Sequence, residues 1–320
     1  MPVLRSCPIC SGRQFHRVVT VPSRRRPMAV VACDGCALVF VNPTYTEAEK
    51  AAASPHLVAL HRSNSVGRSR AALRRQAEPR TRRCLEALNS YVRPGDRVLE
   101  VGFGDGLLLA ELQARGAEPV GAELDAHAAW IGRQLGVPVH VGPFEQIEFS
   151  GGRRFDAVVM VHLIEHFFNP VAALRKVHRL LKPGGIVFLE TPNLLRPKVG
   201  PRRVFSFAHN YHFTPRTLAA ALHAAGFRCC ELREFRRDAF QVVARACRPG
   251  EFNPAPLAED PAESIAAVRR HARRYYTSLQ FFWRKSPWGR RWMNQLHRHL
   301  RTAELNDWLT GAPRPQLIAA

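Results

Sequence analysis

The sequence has no long apolar run and no apolar segment near its start. No run of about eighteen apolar residues occurs anywhere in the 320 residues, so we expect no membrane-spanning helix. Residues Met1 to Cys7 lack the apolar core of a secretory signal. We therefore expect a cytoplasmic protein, which can still be peripheral at a membrane surface.

Lysine is also scarce, although the chain is strongly basic. Only five of the 47 basic residues are lysine, and the formal net charge is +21. Such a charge favours a polyanionic partner, namely nucleic acid, an anionic membrane surface or a phosphorylated substrate. So strong a preference for arginine is also typical of GC-rich coding, and the charge alone does not select among these partners.

Cysteine is concentrated near the start of the chain in two C-x-x-C pairs, with 22 residues between the pairs. Four thiolates at this spacing predict a tetrahedral zinc site. The predicted metal ligands are Cys7, Cys10, Cys33 and Cys36.

The four cysteines also predict a small domain. The stretches Phe15–Val21 and Met28–Ala32 alternate like short strands, so residues 1–45 are predicted to form a zinc ribbon. The alternatives are a redox dithiol and a disulfide framework. Two paired knuckles argue against a single redox pair, and a cytosolic setting argues against disulfides. Four protein ligands leave no open position, so the predicted Zn²⁺ is structural.

A glycine-rich segment organises the middle of the chain. The apolar run Val98–Val101 leads into Gly102, Gly104 and Gly106, and a helix is predicted from Leu107. A strand, a tight turn and a helix N-terminus predict a cofactor site. The G-x-G-x-G spacing differs from the G-x-G-x-x-G of dinucleotide sites, which disfavours a pyrophosphate ligand. Glu100, at the strand end, suits a ligand that carries an amine.

Strands and helices alternate after this loop, which predicts an α/β fold. A second strand ends in the acid Glu123, where Rossmann-like folds place a carboxylate on ribose hydroxyls. The helices are predicted at Leu107–Arg115, Ala126–Leu135, Pro170–Leu181 and Pro215–Ala225. The strands are predicted at Val98–Val101, Glu118–Glu123, Val137–Val141, Phe155–Met160, Ile186–Glu190, Phe227–Glu234 and Ala239–Ala246.

Four short motifs add specificity: Glu165-His166, Asn169-Pro170, Lys182-Pro183-Gly184-Gly185 and Thr191-Pro192-Asn193. With the glycine loop and Glu123, they resemble class I S-adenosylmethionine-dependent methyltransferases over roughly Arg80 to Arg248. The branch includes ubiquinone-pathway O-methyltransferases and zinc-bearing sugar methyltransferases. The resemblance implies a Rossmann-like seven-stranded sheet, here with an N-terminal zinc ribbon and a helical C-terminal tail.

The resemblance also implies where S-adenosylmethionine binds. Glu123 would contact the ribose. Many relatives carry an Asp for the adenine amine where this chain has Pro143, so Phe144 or Glu145 replaces it, or Phe144 belongs to the core. The residues facing the methionine end would be Glu100, Gly102, Gly104, Asp105 and Gly106.

Histidines supply the candidate general base. Methyl transfer needs alignment and, for a hydroxyl acceptor, loss of a proton, which a histidine near neutrality can accept. We predict His166 as this base and His162 as the second candidate; the alternative is that His166 caps or packs on the next helix. Strand ends and the resemblance place the following residues at the substrate: Thr191, Asn193, His209, Tyr211 and His212.

Four segments are expected: the zinc ribbon 1–45, a helical connector 46–92 with a capped start at Thr46, the methyltransferase domain 93–250 and a basic aromatic tail 251–320. The stretch from Leu194 to Phe207 is long enough for an active-site lid. The arginines and aromatics of the tail suit packing on the main domain, an anionic membrane surface or nucleic acid.

We thus expect methyl transfer to a small-molecule or carrier-linked acceptor, with O-methylation favoured and sugar C-methylation as an alternative. An RNA methyltransferase is the second hypothesis, although no Asn/Asp-Pro-Pro-aromatic motif occurs. A non-catalytic scaffold or membrane adaptor is the third, and the intact glycines and acids argue against it.

Overall fold

Two β-sheets, a smaller one and a larger one, form the framework of the protein. The structure, a computed structural model, describes residues 5–21, 27–46, 49, 70–149, 152, 154–197, 204–235, 239–247 and 261–276. The smaller sheet has four strands, β1 (Phe15–Val21), β2 (Met28–Cys33), β3 (Val39–Val41) and β9 (Tyr211–His212). All of its pairings are antiparallel.

The larger sheet has seven strands, as expected, and their order is β10-β11-β8-β7-β4-β5-β6. Strands β4 to β8 are parallel, and β10 and β11 close one edge antiparallel. Their bounds are β4 Arg97–Val101, β5 Glu118–Glu123, β6 Val139–Val141, β7 Phe155–Val161, β8 Leu181–Pro192, β10 Phe227–Glu234 and β11 Ala239–Ala246.

Six helices accompany the sheets in the described part of the chain. They are α1 (Arg70–Leu88), α2 (Leu107–Ala114), α3 (Ala128–Leu135), α4 (Pro170–Leu180), α5 (Pro215–Ala224) and α6 (Pro261–Tyr276). A short 3-10 turn, Ile164–His166, lies between β7 and α4. None of the described helices is both long and apolar enough to cross a bilayer.

Local sequence sets the starts of α4 and α5. The Asn169 side chain accepts a hydrogen bond from the Ala172 amide at 3.0 Å, and Pro170 follows at the first helical position. Thr214 and Thr217 form a reciprocal capping box ahead of α5. Thr46 and Glu49 likewise exchange hydrogen bonds of 2.7 and 3.1 Å, which confirms the predicted capped start there.

The strand β8 begins earlier than predicted. The predicted turn Lys182–Gly185 lies inside the strand, because Leu181 already pairs with Phe155 across the sheet. Lys182 forms an ion pair with Asp156 at 2.7 Å, which keeps this start of β8 against β7. The assigned strand thus starts at Leu181 and not at Ile186, but regular pairing with β7 resumes only at Ile186, opposite Ala157. Lys182–Gly185 form a bulge between the two pairings, in which Gly184 has a φ of 77°.

The ribbon shares its core with the larger sheet. One cluster of buried side chains contains Phe15, Val31 and Leu38 from the ribbon together with Leu99 of β4 and Leu218 of α5. The pairing of β3 with β9 was not predicted, because β9 has only two residues and pairs across more than 160 positions of sequence.

The described start of the tail packs on the ribbon. Ile265 and Val268 of α6 lie in a cluster with Val21 and Met28 of the smaller sheet. Packing of the tail was expected on the main domain and through aromatic side chains, whereas this contact is with the ribbon and uses aliphatic side chains. Residues 277–320, which carry most of the predicted aromatic tail, and part of the predicted lid, residues 198–203, lie outside the described residues.

Candidate active site

The carboxyl ends of the parallel strands meet at one edge of the larger sheet. Glu100 is the fourth residue of β4, Glu123 ends β5, His162 follows β7 and Glu190 lies near the end of β8. The register confirms this convergence, since Glu100 pairs with Val159 and Val161 pairs with Glu190. Ligands of open α/β sheets bind at this edge. We call it the carboxyl edge.

The glycine loop opens onto this edge. Gly102, Gly104 and Gly106 have φ values of 72°, 57° and 73°, which L side chains rarely adopt. A Cβ on Gly104 would meet nothing within 4 Å, whereas one on Gly106 would lie 2.7 Å from Ile131 Cγ2. Gly106 therefore serves packing, and the backbone at Gly104 is open to a ligand.

Two acids brace the loop. Glu123 accepts hydrogen bonds from the amides of Gly104 at 3.1 Å and Leu124 at 2.7 Å. Asp105 accepts one from the amide of Leu107 at 3.1 Å, where α2 begins. Both carboxylates thus hold the loop in shape. Their predicted contacts with S-adenosylmethionine stay predictions.

Glu100 is a buried acid that a cationic ligand group could neutralise. Its side chain is only 4% exposed, and Oε2 has no hydrogen-bond partner among the described residues. Burial, with the nearby charges of Asp105 and Glu123, raises the pKa of Glu100 well above its usual value. A ligand ammonium would supply the missing charge. The residues present therefore fit the amino group of S-adenosylmethionine.

Phe144 lies in the core beside the predicted cofactor position. Its ring packs edge-on against Phe167 at a centroid distance of 5.9 Å, and Lys176 Nζ lies 5.2 Å from its centroid. The side chain is buried. This is the core alternative stated for Phe144, and contact with adenine stays a prediction.

His162 is enclosed by two buried carboxylates. Its Nε2 lies 3.2 Å from Glu190 Oε1, and its Nδ1 lies 3.6 Å from Glu165 Oε1. The backbone at His162 has a φ of 52°, and its amide donates to the Glu190 carbonyl. Burial disfavours the imidazolium, but the two carboxylates outweigh it and raise the pKa of His162 to about 9.

The ring of His166 has different hydrogen-bond partners from the ring of His162. Its Nδ1 lies 2.9 Å from the carbonyl oxygen of Ala208. A carbonyl only accepts, so this geometry assigns the hydrogen to Nδ1 and leaves a lone pair on Nε2. The His209 ring lies 4.9 Å away, centroid to centroid, at 71°. Burial lowers the pKa of His209 to about 4, so this ring is neutral near pH 7.

The other predicted substrate residues are occupied by structural contacts. Thr191 is buried and donates to Glu165 Oε2 at 3.0 Å. Asn193 donates to Glu234 at 3.3 Å. Tyr211 donates to the Phe168 carbonyl at 2.8 Å, and His212 is buried. Only His209 lies beside the candidate base, and substrate contact by all five stays a prediction.

Two further residues of the site, Glu190 and Asn210, were not predicted, and Glu165 was recognised in a motif without an assigned role. Glu165 orders His162 and Thr191, and Glu190 accepts from Gln241 at 2.7 Å. Asn210 donates to the carbonyls of His166 at 2.7 Å and Phe167 at 3.1 Å. A sequence signal existed for Glu190, because an acid within an apolar parallel strand is unusual. No local signal existed for Asn210.

The four cysteines of the two C-x-x-C pairs form one cluster. All four sulfurs lie within 4.8 Å of one another, and the pairs Cys7–Cys36 and Cys10–Cys33 are each 3.4 Å apart. All four are free thiols. Tetrahedral zinc with bonds of about 2.3 Å requires sulfurs about 3.8 Å apart, so a small expansion would fit Zn²⁺.

The two knuckles have the same backbone geometry. Ser11 donates to the Cys7 carbonyl and Ala37 to the Cys33 carbonyl, each at 2.9 Å. Ser11 and Ala37 have φ values of 61° and 60°. Two matched turns that gather four sulfurs are the arrangement expected of a structural zinc ribbon.

The seven-stranded sheet, with a glycine loop and the buried acid Glu100 at its carboxyl edge, has the Rossmann-like fold of methyltransferases. A family model described as "Methyltransferase domain" matches residues 70–232, about half of the chain. The chain belongs to this family.

Individual relatives agree with the family. A ubiquinone biosynthesis O-methyltransferase of Alkalilimnicola ehrlichii is 37% identical over 105 residues, which is 31% of this chain and 42% of the relative. The chain thus spans less than half of that relative. One of Xanthomonas axonopodis pv. citri is 29% identical over 195 residues, covering 55% of this chain and 82% of the relative.

A solved structure is also similar. The S-adenosylmethionine-dependent methyltransferase of Mesorhizobium loti is 19% identical, with a TM-score of 0.43, and the match covers 50% of this chain and 96% of that one.

Proposed function

We propose that the protein methylates a hydroxyl oxygen of a small-molecule or carrier-linked acceptor and that His166 removes the hydroxyl proton. One observation carries the assignment of the base: the hydrogen bond from Nδ1 to the Ala208 carbonyl leaves the Nε2 lone pair of His166 available. His162 is the weaker candidate, because both of its ring nitrogens face buried carboxylates.

Each part of the carboxyl edge has a role in this proposal. S-adenosylmethionine supplies an activated methyl group when it is bound. Glu100 pairs with its amino group, Glu123 orders the glycine loop and contacts the ribose, and the backbone at Gly104 allows close approach. His166 and His209 would lie at the acceptor. Holding the oxygen and the methyl carbon in line supplies most of the remaining rate enhancement.

The proposed acceptor class is supported by the relatives. The two described above carry the name ubiquinone biosynthesis O-methyltransferase, and they are similar to this chain over 31% and 55% of its length. Sugar C-methylation is the alternative to which the zinc-bearing branch points. We further propose that the cysteine cluster holds a structural Zn²⁺, that the protein is cytoplasmic, and that any membrane contact is through the tail.

Calorimetry with S-adenosylhomocysteine tests the cofactor site first. We expect micromolar binding that weakens by about tenfold or more in Glu123→Ala, which corresponds to ~1.4 kcal/mol. Glu86→Ala is the matched control, because Glu86 is an exposed acid on α1. Absence of binding by the folded, zinc-loaded protein would contradict the cofactor assignments.

Methyl transfer from tritiated cofactor then tests the acceptor. Catechols and other phenols, nucleotide sugars and total RNA form the panel, and label in the phenols supports O-methylation. His166→Asn should lower the rate by about 100-fold or more with cofactor binding unchanged, whereas His223→Asn on α5 should not. Label in RNA alone would replace the proposal with RNA methylation.

A further inference from the structure

One side chain of the ribbon, that of Arg5, reaches the segment that carries His166. Arg5 lies two residues before Cys7 in the sequence, and its guanidinium contacts Phe168, two residues after His166. We propose that Arg5 is a positioning residue for His166, which holds the backbone after β7 in the geometry that proton removal needs. The inference rests on the proposed function of His166 as the base.

Arg5 contacts both the backbone and the side chain of Phe168. Its Nη1 donates to the Phe168 carbonyl at 2.8 Å, and its Cζ lies 5.3 Å from the centroid of the Phe168 ring. A hydrogen bond from a charged donor is stronger than one between neutral groups, and a guanidinium over an aromatic ring adds a cation–π attraction. Phe168 is thus held at two points by a residue of the ribbon.

Residues 164–168, which we call the histidine turn, are shaped by side chains from distant parts of the chain. Asn210 donates to the carbonyls of the two residues before Phe168, at 2.7 and 3.1 Å. The Tyr211 hydroxyl donates to the Phe168 carbonyl itself at 2.8 Å. Three successive carbonyls therefore accept hydrogen bonds from side chains, and among these donors Arg5 is the one that carries a charge.

The backbone of Arg5 is itself fixed within the ribbon. Its amide donates to Asn42 Oδ1 at 3.0 Å, and its carbonyl accepts from Asn42 Nδ2 at 3.1 Å. Asn42 is only 1% exposed and directly follows β3. On the other side, the Cys7 amide donates to the Gly12 carbonyl at 2.9 Å within the first knuckle. Arg5 therefore transmits the position of the ribbon to the histidine turn.

The expected consequence is on rate and not on binding. The Ala208 carbonyl fixes Nδ1 of His166 at 2.9 Å, and the histidine turn fixes the backbone of the same residue. Displacement of a reacting group by about 1 Å costs up to about 100-fold in rate. Loss of Arg5 should cost less than this, because the Phe168 carbonyl keeps the Tyr211 donor.

Steady-state kinetics of the full, zinc-loaded chain with a catechol acceptor test the role. Arg5→Met keeps an apolar stem and removes the donor and the charge. We expect kcat to fall about tenfold, with KM and S-adenosylhomocysteine affinity unchanged. Arg5→Lys should restore part of kcat, because an ammonium can donate to the same carbonyl. Arg13→Met, at an exposed arginine of the ribbon, is the matched control.

A double-mutant cycle tests the shared carbonyl. Tyr211→Phe keeps the aromatic ring and removes the second donor to the Phe168 carbonyl. We expect the double variant with Arg5→Met to lose more of kcat than the product of the two single losses, because the carbonyl then keeps neither donor. A loss equal to that product would mean that the two donors act on separate groups, which would overturn the shared contact.

Nuclear magnetic resonance of ¹⁵N-histidine-labelled protein measures the position of the ring without any acceptor. The His166 signal is identified by its loss in His166→Asn. We expect Arg5→Met to shift or broaden this signal and Arg13→Met to leave it unchanged. If the wild-type protein methylates no phenol, the proposed function fails, whereas this comparison still tests Arg5.

Two results would overturn the positioning role. One is an Arg5→Met protein with unchanged kcat and an unchanged His166 signal. The other is a fall in kcat that only matches a loss of bound zinc or of folded protein, measured by metal content and urea unfolding, because Arg5 would then be a purely structural residue of the ribbon.

Discussion

The cysteine cluster and the carboxyl edge are both buried polar sites, but they are built in opposite ways. The four thiols lie within 4.8 Å of one another on two matched turns. The carboxyl edge instead gathers and buries Glu100 and Glu190 from two strands of the larger sheet and Glu165 from the turn after β7. The first site is closed by its own ligands, whereas the second leaves oxygens without partners.

Because of this difference, we expect substitutions at the cysteine cluster to change mainly stability and substitutions at the carboxyl edge to change mainly ligand binding. A bound metal ion stabilises a small domain that lacks a large apolar core. Loss of the ion from a closed four-thiolate site should therefore unfold the ribbon. Unpaired buried carboxylates lower stability, and they persist where a ligand completes them. The two sites meet at β9. This strand, Tyr211–His212, pairs with β3 in the smaller sheet, and it directly follows His209 and Asn210 in the chain. The ribbon therefore supports the position of the candidate catalytic histidines.

The largest expected effect comes from breaking the closed site. Cys33→Ser removes a fully buried thiol, and we expect loss of bound zinc and a fall of more than ~3 kcal/mol in the free energy of unfolding. Metal content and thermal unfolding measure both effects. Cys229→Ser, at an exposed cysteine, is the control. Retention of zinc by Cys33→Ser would contradict the four-ligand assignment.

A second substitution cuts the connection between the two sites. Asn210→Ala removes two hydrogen bonds to the His166 and Phe167 carbonyls and leaves those carbonyls without this donor. We expect the free energy of unfolding, measured in urea, to fall by about 2 to 3 kcal/mol, because each carbonyl loses a hydrogen bond inside the folded protein. Asn89→Ala, at an exposed position, should have little effect. Equal stability of the two variants would show that β9 alone positions the turn.

Glu100→Gln should separate binding from stability most clearly. The substitution keeps the shape of a buried side chain and removes its charge. Because burial already raises the pKa of Glu100, we expect unchanged or higher stability with about tenfold weaker S-adenosylhomocysteine binding, ~1.4 kcal/mol. Paired unfolding and calorimetry measurements test this. Lower stability with normal binding would assign Glu100 a structural role instead.

The smallest expected effect lies at the start of α4, directly after the histidine turn. Asn169→Ala removes the N-cap hydrogen bond to the Ala172 amide, and we expect a loss of about 1 kcal/mol in the free energy of unfolding. Asn169→Asp keeps a capping oxygen and should restore the stability. Urea unfolding of the three proteins measures the cap, and equal values for all three would exclude it as a contributor.

Much of the fold could be predicted because its signals are local. Each of these signals involves residues only a few positions apart in the chain. They are the glycine loop, the caps at Asn169 and Thr214 and the turn of each C-x-x-C pair. Seven strands were predicted in the larger sheet, and seven are present. The prediction differs at the start of β8, where one pairing of Leu181 with Phe155 precedes the bulge Lys182–Gly185 and regular pairing resumes at the predicted Ile186.

The candidate site could be predicted only in part. Both acids at the strand ends and the histidines after β7 were found from strand order. The roles of the histidines were not separable, because they depend on contacts made across the fold: His162 with Glu190, and His166 with Ala208. Asn210 and β9 gave no local signal at all.

The sequence by itself determined the class of the protein, since turn chemistry, apolar periodicity and ligand spacing are properties of short segments. Only the tertiary structure decided which histidine keeps a free lone pair, which carboxylate oxygen is left without a partner, and that the ribbon sheet ends in a strand beside the active site. These depend on burial and on contacts between residues that are 28 to 173 positions apart, as with His162 and Glu190 or Val39 and His212. Hydrogen bonding and desolvation act through space, so no local pattern records them.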